Sequence, residues 1–136
     1  MIPADAQDNR TVLLVDGDAS VRRSLHMLLK VHGFDLKAYR CMNLLLDTPE
    51  IAGAGWLIAE QHLPDGNGIS ILSILRARGW HGRALLFTTS FDPFLVEAAL
   101  DAGFEAVLDK PLIPRRLLAW LKMERIGEEP MPSIRS

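Results

Sequence analysis

The chain has one cysteine, Cys41, and no long apolar segment. A single cysteine excludes an intramolecular disulfide, and nothing beside it in the sequence supplies the histidine partner of a catalytic thiol. The apolar runs are a few residues long, far short of the ~20 that a membrane-spanning helix needs. The N-terminus, MIPADAQDNR, lacks the basic start and apolar run of a signal peptide. The sequence therefore predicts a cytoplasmic protein without membrane association.

An excess of basic residues is also missing, because 15 Lys and Arg are balanced by 17 Asp and Glu. The resulting net charge of −2 argues against a nucleic-acid-binding domain, which would carry a strong basic excess. The four histidines are scattered without the spacing of metal ligands. With 136 residues, 49% of them hydrophobic, the chain fits one globular domain that needs no metal or disulfide to hold a core.

Polar segments flank the apolar middle of the chain. Residues 1–10 are polar and are predicted to be disordered, and residues 127–136 hold two prolines and little apolar content, which predicts a flexible tail. Residues 11–126 are then the folded domain. Since only about ten residues follow the last predicted helix, we expect a stand-alone domain without an output domain behind it.

Within the predicted domain, short apolar runs alternate with apolar residues at helical spacing. Four apolar runs predict strands at residues 11–15, 56–59, 84–87 and 106–108, and residues 34–39, which alternate apolar and polar, predict a fifth, short strand. Each is followed by a predicted helix: one from an N-cap at Asp18 or Ser20 to a stop at Gly33, then others at about 42–47, 69–78, 95–102 and 114–125. Strands that are apolar throughout belong in a parallel sheet covered on both faces. The predicted fold is α/β: a doubly wound (βα)5 domain with a five-stranded parallel sheet in three α/β/α layers.

Polar side chains follow four of the five predicted strands. These residues are Asp16, Glu60, Thr88 and Lys110. In open parallel sheets ligands bind at the carboxyl ends of the strands, so we expect the four side chains to meet there. Carboxylates, a hydroxyl and an ammonium suit phosphoryl transfer, because a carboxylate can accept a phosphoryl group and other carboxylates can hold Mg²⁺. Polar strand ends also arise by chance, since loops are polar by default.

Five motifs in collinear order carry a family resemblance. They are residues 12–16 with 21–25 (VLLVD, VRRSL), residues 63–68 (LPDGNG), Thr88-Thr89, Ala102-Gly103 and Lys110-Pro111. Over residues 11–124 the sequence resembles a response-regulator receiver domain, the flavodoxin-like class that includes the chemotaxis regulator CheY, and is most similar to the FixJ type. The resemblance implies two-component phosphorelay signalling by a module that is not an enzyme, and a cis bond before Pro111. It also implies protein partners such as a histidine kinase, a phosphotransfer protein or another regulator, and a possible homodimer.

The first departure from the family pattern concerns the metal ligands. Receiver domains end their first strand with two adjacent acids, whereas here Asp16 is followed by Gly17. The missing second acid is the family's direct metal ligand, and Asp18 comes one position too late and is predicted to cap the first helix. Because Mg²⁺ needs several oxygen ligands, we expect no cofactor and at most weak Mg²⁺ binding, with Asp16 and Glu60 as the remaining ligands.

Two further departures concern the acceptor and the switch. Glu60 stands three residues before Leu63-Pro64, where the family has its phosphoacceptor aspartate, and Val107 stands where the family often has an aromatic switch residue. The extra methylene of Glu60 moves its oxygens by roughly 1 Å. Misplacements of this size are costly in an in-line attack, so phosphotransfer is not expected. Val107 has no ring to swing, which predicts that the output face of the last two βα units is fixed in one state.

Thr88 and Lys110 are retained, and their presence leaves two interpretations of Glu60 open. Glu60 either reaches Lys110 and Thr88 as a partial mimic of phosphorylated aspartate, with about one negative charge against roughly two, or is a tolerated polar residue at a decayed site. The predicted function is that of an atypical receiver that binds proteins independently of phosphorylation. The alternatives are a functional Mg²⁺-dependent phosphoacceptor with a non-standard acidic pocket, and a small-ligand binder at the sheet edge.

Overall fold

The computed structural model describes residues 10–123. The segment predicted to be disordered, residues 1–10, lies outside the described residues except for Arg10, and the tail predicted at 127–136 lies wholly outside them. None of the helices within residues 10–123 is long and apolar enough to cross a membrane.

Strands and α-helices alternate through the described chain. They are β1 (Thr11–Val15), α1 (Ala19–Val31), β2 (Asp35–Tyr39), α2 (Met42–Asp47), β3 (Trp56–Ala59), α3 (Gly68–Ala77), β4 (Arg83–Thr88), α4 (Pro93–Ala102), β5 (Ala106–Asp109) and α5 (Pro114–Lys122). All strand pairs are parallel, in the order β2-β1-β3-β4-β5. The predicted five-stranded doubly wound sheet is therefore confirmed.

The ends of the helices follow from local hydrogen bonds. Asp18 accepts from the Ser20 amide and caps α1, as predicted. Asp92 accepts from the Leu95 amide, so that α4 begins at Pro93, two residues before its predicted start. At the other end of the chain, α5 ends at Lys122, short of the predicted 125. A 3-10 helix, Pro49–Gly53, between α2 and β3 was not predicted, because its five residues are too few to show a period.

The sheet separates two hydrophobic clusters, one on each face. Residues of β1 alternate between them: Leu13 and Val15 pack in the first cluster with α3 and α4, whereas Val12 and Leu14 pack in the second with α1 and α5. Burial on both faces explains why β1 and β3 are almost entirely apolar, whereas the edge strand β2 alternates with polar residues. The ends of the strands are thus fixed by the core on both sides, which positions any side chain that follows them.

Trp120 belongs to the core. It is buried in the second cluster, and its indole Nε1 donates to Glu105 Oε1 at 3.1 Å. Trp56 is half-buried and meets the Phe34 ring edge-on at 5.3 Å. The indole of Trp120 therefore fastens α5 to the segment that leads into β5.

A buried arginine at the start of β4 joins the same elements. Arg83 donates from Nε to Glu105 Oε1 at 2.8 Å, and its other nitrogens donate to the carbonyls of Met123 at 2.6 Å and Trp120 at 3.1 Å. Its guanidinium also lies over the Trp120 ring, 5.1 Å from the centroid. Arg83 thereby satisfies carbonyls at the end of α5 that have no partner within the helix.

Replacing Arg83 by Met should lower the free energy of unfolding by about 3 kcal/mol, because the change removes the cation paired with Glu105, which keeps only the Trp120 indole as a donor, and removes the side-chain donor of the Met123 carbonyl. Urea unfolding measures this loss. The matched control is Lys37→Met, which breaks an exposed ion pair with Asp35 at 3.6 Å and should cost less than ~1 kcal/mol. Equal losses in the two variants would contradict the role given to Arg83.

Candidate functional site

The sheet register brings the four predicted site residues to one edge. Val15 pairs with Ala59, and the Glu60 amide donates to the Val15 carbonyl at 3.0 Å, so Asp16 and Glu60 leave neighbouring strands side by side. On the other side of β3, Thr88 pairs with Asp109, and the Lys110 amide donates to the Thr88 carbonyl at 3.0 Å.

The Lys110 ammonium lies between the two carboxylates. Its Nζ is 2.8 Å from Asp16 Oδ2 and 2.8 Å from Glu60 Oε1. Asp16 is 1% exposed and Glu60 6%, and the Lys110 side chain is 13% exposed. Since charges this deeply buried need partners, the three groups form one unit with a formal charge of −1. The predicted contact between Glu60 and Lys110 is present.

Amide groups hold the remaining oxygens of the two carboxylates. Asp16 Oδ1 accepts from the Asp18 amide at 2.9 Å, and Glu60 Oε2 accepts from the His62 amide at 3.1 Å. Asp16 Oδ2 receives no hydrogen bond beyond its ion pair with Lys110 within the described residues. Each carboxylate is therefore tied on one side to its own loop and on the other to Lys110.

These contacts set the charge state of the pocket. Burial alone would raise the pKa of Glu60, but hydrogen bonds from Lys110, from the Thr88 hydroxyl and from the His62 amide outweigh it, and the pKa is lowered. Burial likewise opposes the charge of Lys110, but the carboxylates of Asp16 and Glu60 outweigh it and raise the pKa. Glu60 and Lys110 therefore both carry their charges at neutral pH.

Mg²⁺, which the family resemblance implies, would compete with Lys110 for the two carboxylates. The ammonium of Lys110 lies between the carboxylates of Asp16 and Glu60, where a divalent cation would need to contact both. Gly17 adds no side-chain oxygen, and no group of three or more His, Cys, Asp or Glu suited to a metal occurs in residues 10–123. A divalent cation bound by both carboxylates would therefore have to displace the Lys110 ammonium from Asp16 Oδ2 and Glu60 Oε1.

The two other altered positions lie beside the pocket. Gly17 is exposed, and a Cβ placed on it would meet the Arg40 carbonyl oxygen at 3.8 Å and Pro64 Cδ at 3.9 Å, which are ordinary contacts. The backbone there can accept an aspartate. Val107 is half-buried in β5 and packs against the first cluster. The Lys110-Pro111 bond is cis, as the resemblance implied.

Side chains in the loops complete the site, and the sequence did not indicate them. Asp65 accepts from the amides of Met42 and Asn43, at 2.8 and 2.9 Å, and so caps α2 from the β3–α3 loop. His62 Nε2 lies 2.6 Å from Ser90 Oγ, in a contact that joins this loop to the β4–α4 loop. For Asp65 the signal was the Pro-Asp-Gly turn, but no pattern pairs residues from separate loops.

Comparison with known proteins shows which sequences this chain resembles. A sequence profile of the response regulator receiver domain matches residues 12–122. The transcriptional regulatory protein FixJ of Azorhizobium caulinodans is 28% identical over 108 residues, which are 79% of this chain and 51% of FixJ. The DNA-binding response regulator MtrA of Mycobacterium tuberculosis is 28% identical over 121 residues, 88% of this chain and 53% of MtrA. The chain thus spans about half the length of the curated relatives it matches.

Solved structures agree on the fold. The receiver domain of DrrB activated with BeF3 superposes with a TM-score of 0.76 at 22% identity, over 82% of this chain and 93% of that one. The Vibrio cholerae chemotaxis protein CheY4 gives a TM-score of 0.76 at 23% identity, over 82% and 95% of the two chains. The predicted CheY-like fold is confirmed.

Replacing Glu60 by Gln tests the charge state of the pocket. Because the pKa of Glu60 is lowered, its stabilisation is complete above the ordinary value of 4.5 and is lost as the pH falls through the lowered pKa. The free energy of unfolding of wild type should exceed that of Glu60→Gln by on the order of 1–2 kcal/mol near neutral pH, and this difference should shrink in acid.

Urea unfolding across a pH series measures this difference. The control Asp35→Asn removes a carboxylate from an exposed pair and should change stability by less than ~1 kcal/mol at every pH. A Glu60→Gln variant as stable as wild type near neutral pH would instead indicate a decayed site.

Proposed function

The chain belongs to the response regulator receiver domain family, and on that premise we propose that it is an atypical receiver that binds protein partners without being phosphorylated. The observation that carries the proposal is the Lys110 ammonium, which is 2.8 Å from both Asp16 and Glu60. In the family this lysine pairs with the added phosphoryl group. Here its charge is already matched by the protein's own carboxylates.

Glu60 serves in this proposal as a permanent, partial substitute for the phosphoryl group. Its carboxylate stays ionised because its pKa is lowered, and the Lys110 ammonium lies 2.8 Å from its Oε1. It contributes about one negative charge where a phosphoryl group would contribute roughly two, so the mimicry is partial. The domain would then occupy a single signalling state that no kinase or phosphatase resets.

The proposed partners are proteins of two-component signalling, in which receiver domains generally act as signalling modules. We propose a histidine kinase, a phosphotransfer protein or another regulator in the cytoplasm, with a second copy of the chain as a further possibility. FixJ and MtrA are regulators by name. In this proposal the chain is a binding module and carries out no catalysis of its own.

The alternative function is a Mg²⁺-dependent phosphoacceptor with a non-standard pocket. The retained Thr88 and Lys110 favour it, since both lie where the family places them. An attacking Glu60 would first have to release Lys110, because Oε1 is held by the ammonium and Oε2 by the His62 amide.

Acetyl phosphate with Mg²⁺, followed by intact mass measurement, separates the two functions. Wild type should gain no phosphoryl group, whereas Gly17→Asp combined with Glu60→Asp should gain one, since this variant restores the family's acids and the backbone at Gly17 has room for the side chain. Gly17→Asp with Glu60→Asn is the matched control and should stay unmodified. A phosphoryl group on wild type would overturn the proposal.

Titration with Mg²⁺ tests the metal argument separately. We propose that wild type binds Mg²⁺ weakly or not at all, because Lys110 lies between its two carboxylates. Its tryptophan fluorescence and melting temperature should not respond to Mg²⁺, and the Gly17→Asp, Glu60→Asp variant should respond in both. Binding by wild type at sub-millimolar Mg²⁺ would show that the account of Gly17 is wrong.

A further inference from the structure

Three hydrogen bonds connect Glu60 with the β4–α4 loop. The His62 amide donates to Glu60 Oε2 at 3.1 Å, and His62 Nε2 lies 2.6 Å from Ser90 Oγ. The Ser90 amide then donates to Thr88 Oγ1 at 3.1 Å. The chain of bonds leaves β3, crosses to the loop after β4 and returns to the end of β4.

The sheet does not account for this connection. The ladder between β3 and β4 ends with the pair of Ala59 and Leu86, before the loops that carry His62 and Ser90. His62 and Ser90 are 28 residues apart, and their side chains form the bridge between those loops. Because a serine hydroxyl can donate or accept, the bridge can form with either tautomer of the imidazole.

Packing does not hold this part of the β4–α4 loop either. Phe91, directly after Ser90, is 50% exposed, and Phe94 is 85% exposed, so neither ring anchors the loop in the core. The Asp92 side chain caps α4 at the Leu95 amide. This bond fixes the first turn of the helix, but it does not hold residues 89–91, which connect β4 to the cap. Residues 89–91 therefore depend on the hydrogen bonds of Ser90.

We propose that His62 and Ser90 form a latch that holds the β4–α4 loop to Glu60 and thereby fixes the position of the exposed Phe91. The inference deepens the proposed function and rests on it for the role of Glu60. His62 and Ser90 act as positioning residues: the His62 amide fixes the carboxylate, and the His62 ring fixes Ser90. The aromatic surface at the start of α4 is thereby kept in one arrangement.

Residue-resolved amide hydrogen exchange by NMR tests the latch in the full chain. Ser90→Ala should raise the hydrogen-exchange rate of the amides of residues 89–91 about fivefold. This is the change in rate expected for the loss of one hydrogen bond worth ~1 kcal/mol, since RT is about 0.59 kcal/mol. His62→Leu should raise it equally, and the double variant no further, because both changes remove the same bond. Glu60→Gln should raise it less, since the Gln oxygen can still accept from the His62 amide.

Two variants separate the latch from a general loss of structure. Ser90→Thr keeps the hydroxyl and should retain slow exchange, and Thr89→Ala alters an exposed neighbour and should have no effect. Amides of β1 should exchange as in wild type in every variant. Unchanged exchange in Ser90→Ala, or additive effects of the two latch changes, would overturn the latch whether or not the chain is phosphorylated. Phosphorylation of wild type would overturn the proposed function and leave the exchange result standing.

Discussion

The ammonium of Lys110 is the interaction on which the carboxyl edge of the sheet depends. Asp16 and Glu60 are almost fully buried at the ends of adjacent strands, and two ionised carboxylates there would repel each other without a cation. Lys110, delivered from β5, contacts both at 2.8 Å. One side chain thus neutralises half of the carboxylate charge at this edge and holds one oxygen of each carboxylate.

Gly17 and Glu60 together determine the charge and the contacts of this pocket. A third acid beside Asp16 would place three carboxylates around one ammonium and would create a need for a metal ion. With glycine there, Lys110 leaves a formal charge of −1 on the pocket, and the longer Glu60 contacts both the ammonium and the His62 amide. The glycine thus lowers the negative charge of the pocket, whereas Glu60, with the same charge as an aspartate, changes only the reach of the carboxylate.

The sequence predicted the strands and helices, because apolar residues recur in them at a regular spacing. It did not predict contacts between side chains of separate loops, which no regular spacing encodes. The inner strands β1, β3 and β4 were found because burial makes them continuously apolar, and β2 was found from its alternation of apolar and polar residues. Asp16, Glu60, Thr88 and Lys110 were found because parallel strands end at one edge. The bridge from His62 to Ser90 depends on the path of two loops, which no periodicity encodes. The contacts of Arg83 with the carbonyls at the end of α5 could not be predicted either. An arginine at the start of a strand is ordinarily exposed, so nothing in the sequence indicates that this one is buried.

A route from the pocket to the surface must use an element that the pocket contacts directly. In the family an aromatic residue of β5 provides one, but here Val107 packs against the first cluster and has no ring to change position. The β4–α4 loop remains, because Ser90 is bonded both to Thr88 and to His62, which in turn holds Glu60. A partner that binds Phe91 in its present position would by linkage also favour the contact between Glu60 and Lys110, since the coupling between two sites is reciprocal. Partner binding, rather than a covalent change at Glu60, would then set the stability of the contact between Glu60 and Lys110.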